Sequence, residues 1–515
     1  MSTITEKLKA SVGSTPSDGA KMSDLLADID REDRLCFTIE DMSIDLTRQN
    51  VTDDHYHLLL QYATEAQVME KCHAMLDGEI VNLSEQRQAL HAHLRDPSQP
   101  MAQASVDHMA SHIDRLMELG ITDIVSIGIG GSDLGPAMAV AALSPYHQGP
   151  DIHFVSNLDP SHLGDCLAGL DPTTTAVLVI SKSFSTHETA ANMTMAKRWF
   201  RDHDVAIAER MIAITAKPKK ALDAGFDKDK ILIFDEAIGG RYSLWSVVGF
   251  GLMMAIGDAG FRAMLAGGHA VDQHILSAQD FQNTALNMAL MRYWNTTILG
   301  YSAEALCPYD QRLSRFSAWL QQLEMESNGK SINAMGNAVQ GNTAPVIFGE
   351  PGSNAQHSFF QHIHQSPIIT PVTFMAPLRP LMADANLAPD LVADHHDELI
   401  IQMLAQADTL ALGGEDTSFP GGRPSSVITW LQLSPYTLGR ILALFEYVTT
   451  MSGSLWGLNS FDQPGVELGK IRAQIYQNIY SENSYDNGDN NRLSTSSRHI
   501  FKQLRDLRAG PQIKS

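Results

Sequence analysis

Residues 123–143 read DIVSIGIGGSDLGPAMAVAAL, an apolar run that stops at a cluster of glycines and continues into a stretch of helical character. The same texture returns four times: IHFVSN at 152–157, AVLVISKS at 176–183, MIAITA at 211–216 and ILIFDE at 231–236. Each run is short, apolar throughout and closed by small or hydroxyl residues. Helix-compatible segments such as HETAANMTMAKRWF lie between the first four. Strand and helix in alternation imply a parallel sheet covered on both faces, because parallel strands need crossovers and crossovers put helices on the sheet.

Outward from this unit, residues 1–112 mix charged and apolar positions at helical spacing and read as an N-terminal helical packing segment. Apolar helical texture runs from Leu244 to about Leu299. A second, less regular α/β set begins with VIFGEPG at 346–352 and continues through ITPVTFMAPL at 369–378. It leads into two long helical stretches, LIIQMLAQADTLALG and PYTLGRILALFEYVTTM. From Tyr476 on the tail is polar, expected to be a loop before a final helix. Roughly 150 residues per domain gives about three units for this length, placed at 1–112, 113–268 and 269–515.

Composition narrows the function classes. The 515 residues carry 37 Lys and Arg against 59 Asp and Glu, a formal charge of −22, with 44% apolar residues. That is the composition of a chain that buries cores, not of a disordered one. Net acidity opposes nucleic-acid wrapping and docking on anionic membranes, both of which need basic stripes. Cys36, Cys72, Cys166 and Cys307 are scattered, with no CxxC pair and no dense spacing, so a reducing compartment is the simpler expectation. The N-terminal residues lack the apolar core of a signal peptide, and the chain is expected to be soluble and cytoplasmic.

Several clusters carry chemistry. Gly128, Gly130, Gly131 and Ser132 follow a strand and open a helix, where free backbone N–H groups and the helix dipole favour an anion; a plain tight turn would use the same glycines. Ser181, Lys182, Ser183, Ser185 and Thr186 place four hydroxyls and one ammonium within six residues at a strand-to-helix junction, more than an N-cap needs and suited to a phosphate dianion. Gly239 and Gly240 precede Arg241, a guanidinium suited to a developing oxyanion or, as is commoner for a single Arg, to pairing with a surface carboxylate. Glu326 ends an element before Asn328 and Gly329; a partly desolvated glutamate there is a competent carbon-acid base, and a solvated helix-end carboxylate would read the same. His357, near a helix start, can shuttle a proton. Lys470 lies three residues after Glu467, as an exposed ion pair or as a donor toward a sugar oxygen. His362, His364, His395 and His396 lack the spacing of a convincing metal site, so no metal is expected.

Taken together, SIGIGGSDLGPAM, SKSFSTHETAANM, GGRYSLWSVVGF, YDQRLSRFSAWLQQLEMESNGKS, GEPGSNAQHSFFQHIHQ and FDQPGVELGK resemble the phosphoglucose isomerase family, in the family's order over roughly residues 120–470. The resemblance implies two sugar-isomerase α/β domains, each a mainly parallel sheet flanked by helices, a homodimer and no cofactor. It implies interconversion of glucose 6-phosphate and fructose 6-phosphate through a cis-enediolate, in glycolysis and gluconeogenesis. Carried over residue by residue, Glu326 resembles the base, Arg241 the enediolate stabiliser, and His357 and Lys470 the ring-opening pair, with His357 supplied by the partner subunit and Glu188 orienting it. Gly131, Ser132, Ser181, Lys182, Ser183 and Thr186 resemble the loops that hold phosphate and sugar. Gln322 and Gln463 resemble further substrate contacts. Pro464 departs from the family's usual Trp, Ser183, Ser185 and Ser353 from threonines, and Ala355 from a glycine.

Three other readings compete. A non-catalytic sugar-phosphate sensor would discard Glu326, Arg241, His357 and Lys470, all of which are present. A nicotinamide-dependent dehydrogenase is weakened by Asp133, which stands where the third glycine of the dinucleotide fingerprint belongs. A metal-dependent aldose isomerase would be exposed by sensitivity to a chelator.

Overall fold

The computed structural model describes residues 3–12, 21–382, 387–482 and 493–509. Its strands in chain order are β1 (Cys36–Ile39), β2 (Met42–Asp45), β3 (Ile80–Asn82), β4 (Arg87–Gln88), β5 (Asp123–Ile127), β6 (Asp151–Val155), β7 (Thr175–Ile180), β8 (Met211–Thr215), β9 (Ile231–Ile233), β10 (Ala303–Pro308), β11 (Val346–Phe348), β12 (Val372–Pro377) and β13 (Ser425–Trp430). The five apolar runs expected between 123 and 236 form one parallel sheet in the order β6-β5-β7-β8-β9. All six residues of β7 and all five of β8 are buried, which is why these strands read as continuous apolar runs without alternation.

The second sheet runs β1-β2-β13-β12-β10-β11. Its last four strands are parallel, whereas β1 and β2 form an antiparallel hairpin whose β2 edge joins β13. This hairpin corrects the purely helical expectation for residues 1–112. Phe37, Ile39, Met42 and Ile44 are buried while their neighbours are not, a period of two around a Glu40-Asp41 turn. Glu40 takes φ +56°, and the turn is anchored by the buried Arg440, which bonds Ile39 O at 3.0 Å and pairs with Glu40 and Asp41.

Helices Phe250–Ser277 and Pro435–Leu455 pack against each other in the middle of the core. Glycines permit the close approach: a Cβ on Gly267 would lie 1.9 Å from Tyr436 O, and one on Gly439 2.0 Å from Met264 O. The first of these helices is long and apolar enough to cross a bilayer, but 67% of the segment from Val247 that gives this property is buried inside the protein, as expected for a core helix. A domain boundary at residue 268 would cut through it, so that expected boundary gives way. The compact units are Met1–Phe461 and Asp462–Ser515. The second contains helices Pro464–Ser481 and Thr495–Ala509, the latter being the expected final helix; residues 483–492 of the polar tail lie outside the described residues.

Two buried ionic clusters brace the core of the larger unit. Arg95, with a fully buried side chain, bonds Asp272 at 2.7 Å and Glu446 at 2.6 Å and stacks over Trp245, whose indole N–H also donates to Glu446. Arg292 spans Glu304 at 3.0 Å and Glu324 at 2.9 Å. Removing one member of such a group strands a buried charge and costs about 3–5 kcal/mol.

Buried histidines oppose folding in acid. Burial pushes the imidazole of His91 down to about 3 and that of His112 down to about 4. It also lowers His55, His108 and His274. An unfolded histidine takes its proton near pH 6.5, so between that value and about pH 4 the unfolded chain binds more protons, and stability falls as pH is lowered. Glu446 opposes this, because burial pushes its carboxyl up to about 7 and the folded state keeps that proton as pH rises from 4.5. Glu324, Asp133, Asp310 and His269, whose pKa values are raised as well, act in the same direction as Glu446, and against that balance His112 contributes a fall in melting temperature from pH 7 to pH 4.5. His112→Gln should flatten that slope; a slope identical to the parent's would show that His112 is not one of its sources.

Candidate active site

In a sheet ordered β6-β5-β7-β8-β9, the connection leaving β5 runs outward to β6 and the next returns to β7 on the other side. The chain loops therefore diverge at the carboxyl ends of β5 and β7 and leave a crevice, the position where open α/β sheets bind ligands. The loops flanking it are Gly128–Asp133 and Ser181–Thr186, the two clusters singled out above.

Gly130–Ser132 forms a single 3-10 turn before helix Leu134–Ala142. Gly131 is required there by a neighbouring loop: a Cβ would stand 2.1 Å from the carbonyl carbon and oxygen of Gly240. The glycine loop thus lies directly on the backbone that presents Arg241. On the other side of the crevice, Ser181 Oγ and Thr186 Oγ1 are 3.0 Å apart, as are the hydroxyls of Ser183 and Ser185. Thr186 is the N-cap of helix His187–Asp202, and Glu188 lies in that helix's first turn. Phe184 is held at φ +46°, with its ring edge-on to Phe226 at 5.8 Å, a sparsely populated conformation that packing sustains at the tip of the loop.

Lys182 does not stand open to an anion. Its ammonium donates to Glu236 O and Ile238 O, both at 2.8 Å, and burial lowers its pKa. Those carbonyls belong to an irregular loop with no ladder partners and need donors. The side chain therefore ties the Ser181–Thr186 loop to the segment leading into Gly239, Gly240 and Arg241.

Arg241 sits in the 3-10 segment Gly240–Trp245 and is 4% exposed. Its Nε donates to Ser327 Oγ at 2.6 Å and its Nη2 to Ser460 O at 2.7 Å, while Nη1 lies 3.7 Å from Glu326 Oε1. The Tyr242 hydroxyl lies 3.0 Å from Ser327 Oγ and donates to Ser460 O at 3.3 Å.

Glu326 closes a π-helical turn, Gln321–Glu326, that follows helix Phe316–Leu320. Such widened turns are frequent at functional sites because they re-aim side chains. Gln321 Nε2 bonds Ile347 O in β11 at 2.9 Å and fixes the turn to the second sheet. Glu324 points inward, fully buried, to Arg292, Asn328 and Thr449, and burial raises its pKa. Glu326, two residues on, keeps 18% of its side chain exposed and accepts from Gln322 Nε2 at 2.7 Å. Gln322 Nε2 in turn lies 3.1 Å from where a Cβ on Gly130 would be. Carboxylate, guanidinium, amide and glycine loop thus converge on one point.

His357 caps the short helix Gly352–Gln356 after β11 and is exposed; among the described residues its ring has no hydrogen-bond partner. The preceding Gln356 bonds the Tyr309 hydroxyl at 2.7 Å and steadies this helix. Gln463 and Lys470 belong to the unit Asp462–Ser515, Gln463 as N-cap of helix Pro464–Ser481 and Lys470 on its exposed surface. Pro464 is the first residue of that helix, where its missing N–H is harmless and its fixed φ favourable.

Sequence reasoning missed Tyr242, Ser327 and Ser460. The first two border residues it had chosen, which was the available signal; Ser460 is far in sequence and contributes a carbonyl, which no residue type announces. Among the described residues, no group of three or more His, Cys, Asp or Glu is placed to hold a metal ion.

A family model described as phosphoglucose isomerase matches residues 45–497. The chain is 40% identical to the glucose-6-phosphate isomerase of Xanthobacter autotrophicus over 497 residues, spanning 88% of this chain and 90% of that one. It is 39% identical to the glucose-6-phosphate isomerase of Bartonella bacilliformis over 505 residues, 89% and 91% of the respective chains. A crystal structure of a glucose-6-phosphate isomerase from Chlamydia trachomatis aligns with a TM-score of 0.84 at 30% identity, covering 98% of this chain and 99% of that one. A match that runs through both sheets, the glycine loop, Arg241 and the turn carrying Glu326 makes this chain a member of the phosphoglucose isomerase family.

Proposed function

We propose that this protein interconverts D-glucose 6-phosphate and D-fructose 6-phosphate, in the cytoplasm, in glycolysis and gluconeogenesis. The observation that carries the reading is the pairing of a partly exposed carboxylate, Glu326, with a buried guanidinium, Arg241, at 3.7 Å beside a glycine loop. Moving a proton between C2 and C1 requires a carboxylate base and a fixed cation where oxygen gains charge, and both are present.

In this scheme the phosphate rests at the crevice on Ser181, Ser183 and Thr186 and the backbone of their loop, with Lys182 acting from within the loop it braces. Gly131 and Ser132 bound the sugar from the other side. Lys470 and His357 open the ring, one taking and one giving the proton of the hemiacetal; His357 comes from the partner subunit of a homodimer and Glu188 orients it. Glu326 then takes the C2 proton. The electrons of the broken C–H bond form the C1–C2 double bond of a cis-enediolate, whose oxygens face Arg241. Transfer of the O2 hydroxyl proton to O1, with return of the carbon-bound proton to C1, gives the ketose. Gln322, bonded to Glu326, and Gln463 contact the sugar hydroxyls. The scheme moves protons only and uses no cofactor.

The test is conversion of fructose 6-phosphate by the purified chain in EDTA, coupled to glucose-6-phosphate dehydrogenase. Turnover is expected; bound sugar phosphate without turnover would overturn the isomerase reading. Glu326→Gln should lower kcat by about 10²–10⁴, the usual worth of a positioned general base, with fructose 6-phosphate affinity nearly unchanged. Retained turnover would remove Glu326 from the role. Arg241→Lys keeps the charge but loses the fork that reaches both Ser327 and Ser460, so kcat should fall by about 10² or more with a smaller change in KM. A change confined to KM would place Arg241 in ground-state binding instead.

A further inference from the structure

The crevice has a consequence for substrate charge. Lys182, the ammonium nearest in sequence to the hydroxyl cluster, is turned onto Glu236 O and Ile238 O. Lys217, from the adjacent loop after β8, is paired with Glu236. A dianion resting on the neutral donors of the Ser181–Thr186 loop would gain from another cation. Helix Pro218–Asp223, after β8, supplies one: Lys220 Nζ donates to Ser183 O at 3.0 Å. The loop after β8 is fixed to the same segment by Ala216 N and Thr215 Oγ1, which bond Lys182 O at 3.1 and 3.2 Å. Lys220 thus follows backbone that is hydrogen-bonded to the hydroxyl loop.

We propose that Lys220 is a positioning and charge-complementing residue for the substrate phosphate, an inference that rests on the isomerase reading for its substrate and deepens it. Its contact has two effects on an anion. It engages the Ser183 carbonyl oxygen, whose partial negative charge would otherwise oppose a phosphate on the same loop. It also holds a positive charge against the residue that carries the Ser183 hydroxyl, in a chain whose net charge is −22 and whose overall field opposes a dianion. Lys219, its neighbour, is equally exposed but makes no such contact among the described residues, so it is the control for charge without position.

The experiment compares the full-length parent, Lys220→Gln, Lys220→Arg and Lys219→Gln at low ionic strength, using fructose 6-phosphate as substrate and inorganic phosphate as competitive inhibitor. In Lys220→Gln the KM and the phosphate inhibition constant should both rise about fivefold, the scale of an exposed charge contact, with kcat within about twofold. The difference should shrink toward unity in about 0.5 M salt, where the screening length is only a few ångströms. Lys220→Arg should restore most of the affinity and Lys219→Gln should resemble the parent. Equal constants in Lys220→Gln and the parent at low salt, or an equal effect from Lys219→Gln, overturns the proposal. The rise in melting temperature produced by inorganic phosphate reads the same contact without turnover: it should be smaller in Lys220→Gln. An inactive parent that shows this difference would refute the isomerase reading and leave the role of Lys220 toward phosphate standing.

Discussion

A guanidinium as buried as that of Arg241 has lost its water and must recover hydrogen bonds from the protein, in directions fixed by its planar fork. Here the partners come from distant parts of the chain: Ser327 beside the carboxylate Glu326, and the carbonyl of Ser460 far along the sequence. Satisfying the fork therefore fixes three segments to one another. The same constraint leaves Nη1 facing Glu326, with guanidinium and carboxylate held 3.7 Å apart. Preorganisation of this kind is what makes a charge effective against a developing oxyanion, because nothing has to reorient during the reaction.

The ground beneath that arrangement is also polar. Asn328 donates to Glu324 at 3.0 Å and to Thr449 O at 2.8 Å, and it accepts from the Ser460 hydroxyl at 2.7 Å. Glu324 continues the chain to Arg292, which passes it to Glu304 and so to Thr373 in β12. A cluster like this is costly to bury and contributes little net stability over an apolar core. Its effect is directional: apolar side chains would tolerate small rotations of the turn Gln321–Glu326, whereas hydrogen bonds with fixed partners do not.

The five strands of the first sheet could be read from residues 123–236 because fully buried parallel strands leave an unbroken apolar signature, and the loops at their carboxyl ends were marked by glycine and hydroxyl clusters. Arg241, Glu326 and Gln322 were legible through their motif blocks, and the structure brings them together. The hairpin at 36–45 was hidden because four-residue strands carry little periodicity and their partner, β13, is nearly 400 residues away. The direction of the Lys182 side chain was hidden for a related reason: which acceptors a lysine finds depends on the carbonyls of a loop fifty residues on, and backbone carbonyls have no sequence signature. Residue type announces chemistry; it does not announce which long-range acceptor wins.

Charge distribution follows from the same competition. A strongly acidic chain repels a sugar-phosphate dianion at long range, so attraction must be local and short-ranged compared with the screening length. Burying a cation deep in the crevice would raise its desolvation cost, and Lys182 illustrates the result: the protein's own carbonyls capture it and its pKa falls. Neutral donors do not face that penalty. Hydroxyls and backbone N–H groups at a helix start can bind phosphate from a desolvated position, while cations remain at the rim, where water supports them between encounters. The first sheet follows this division, with Ser181 buried at the strand end and the lysines of the β8 loop outside it.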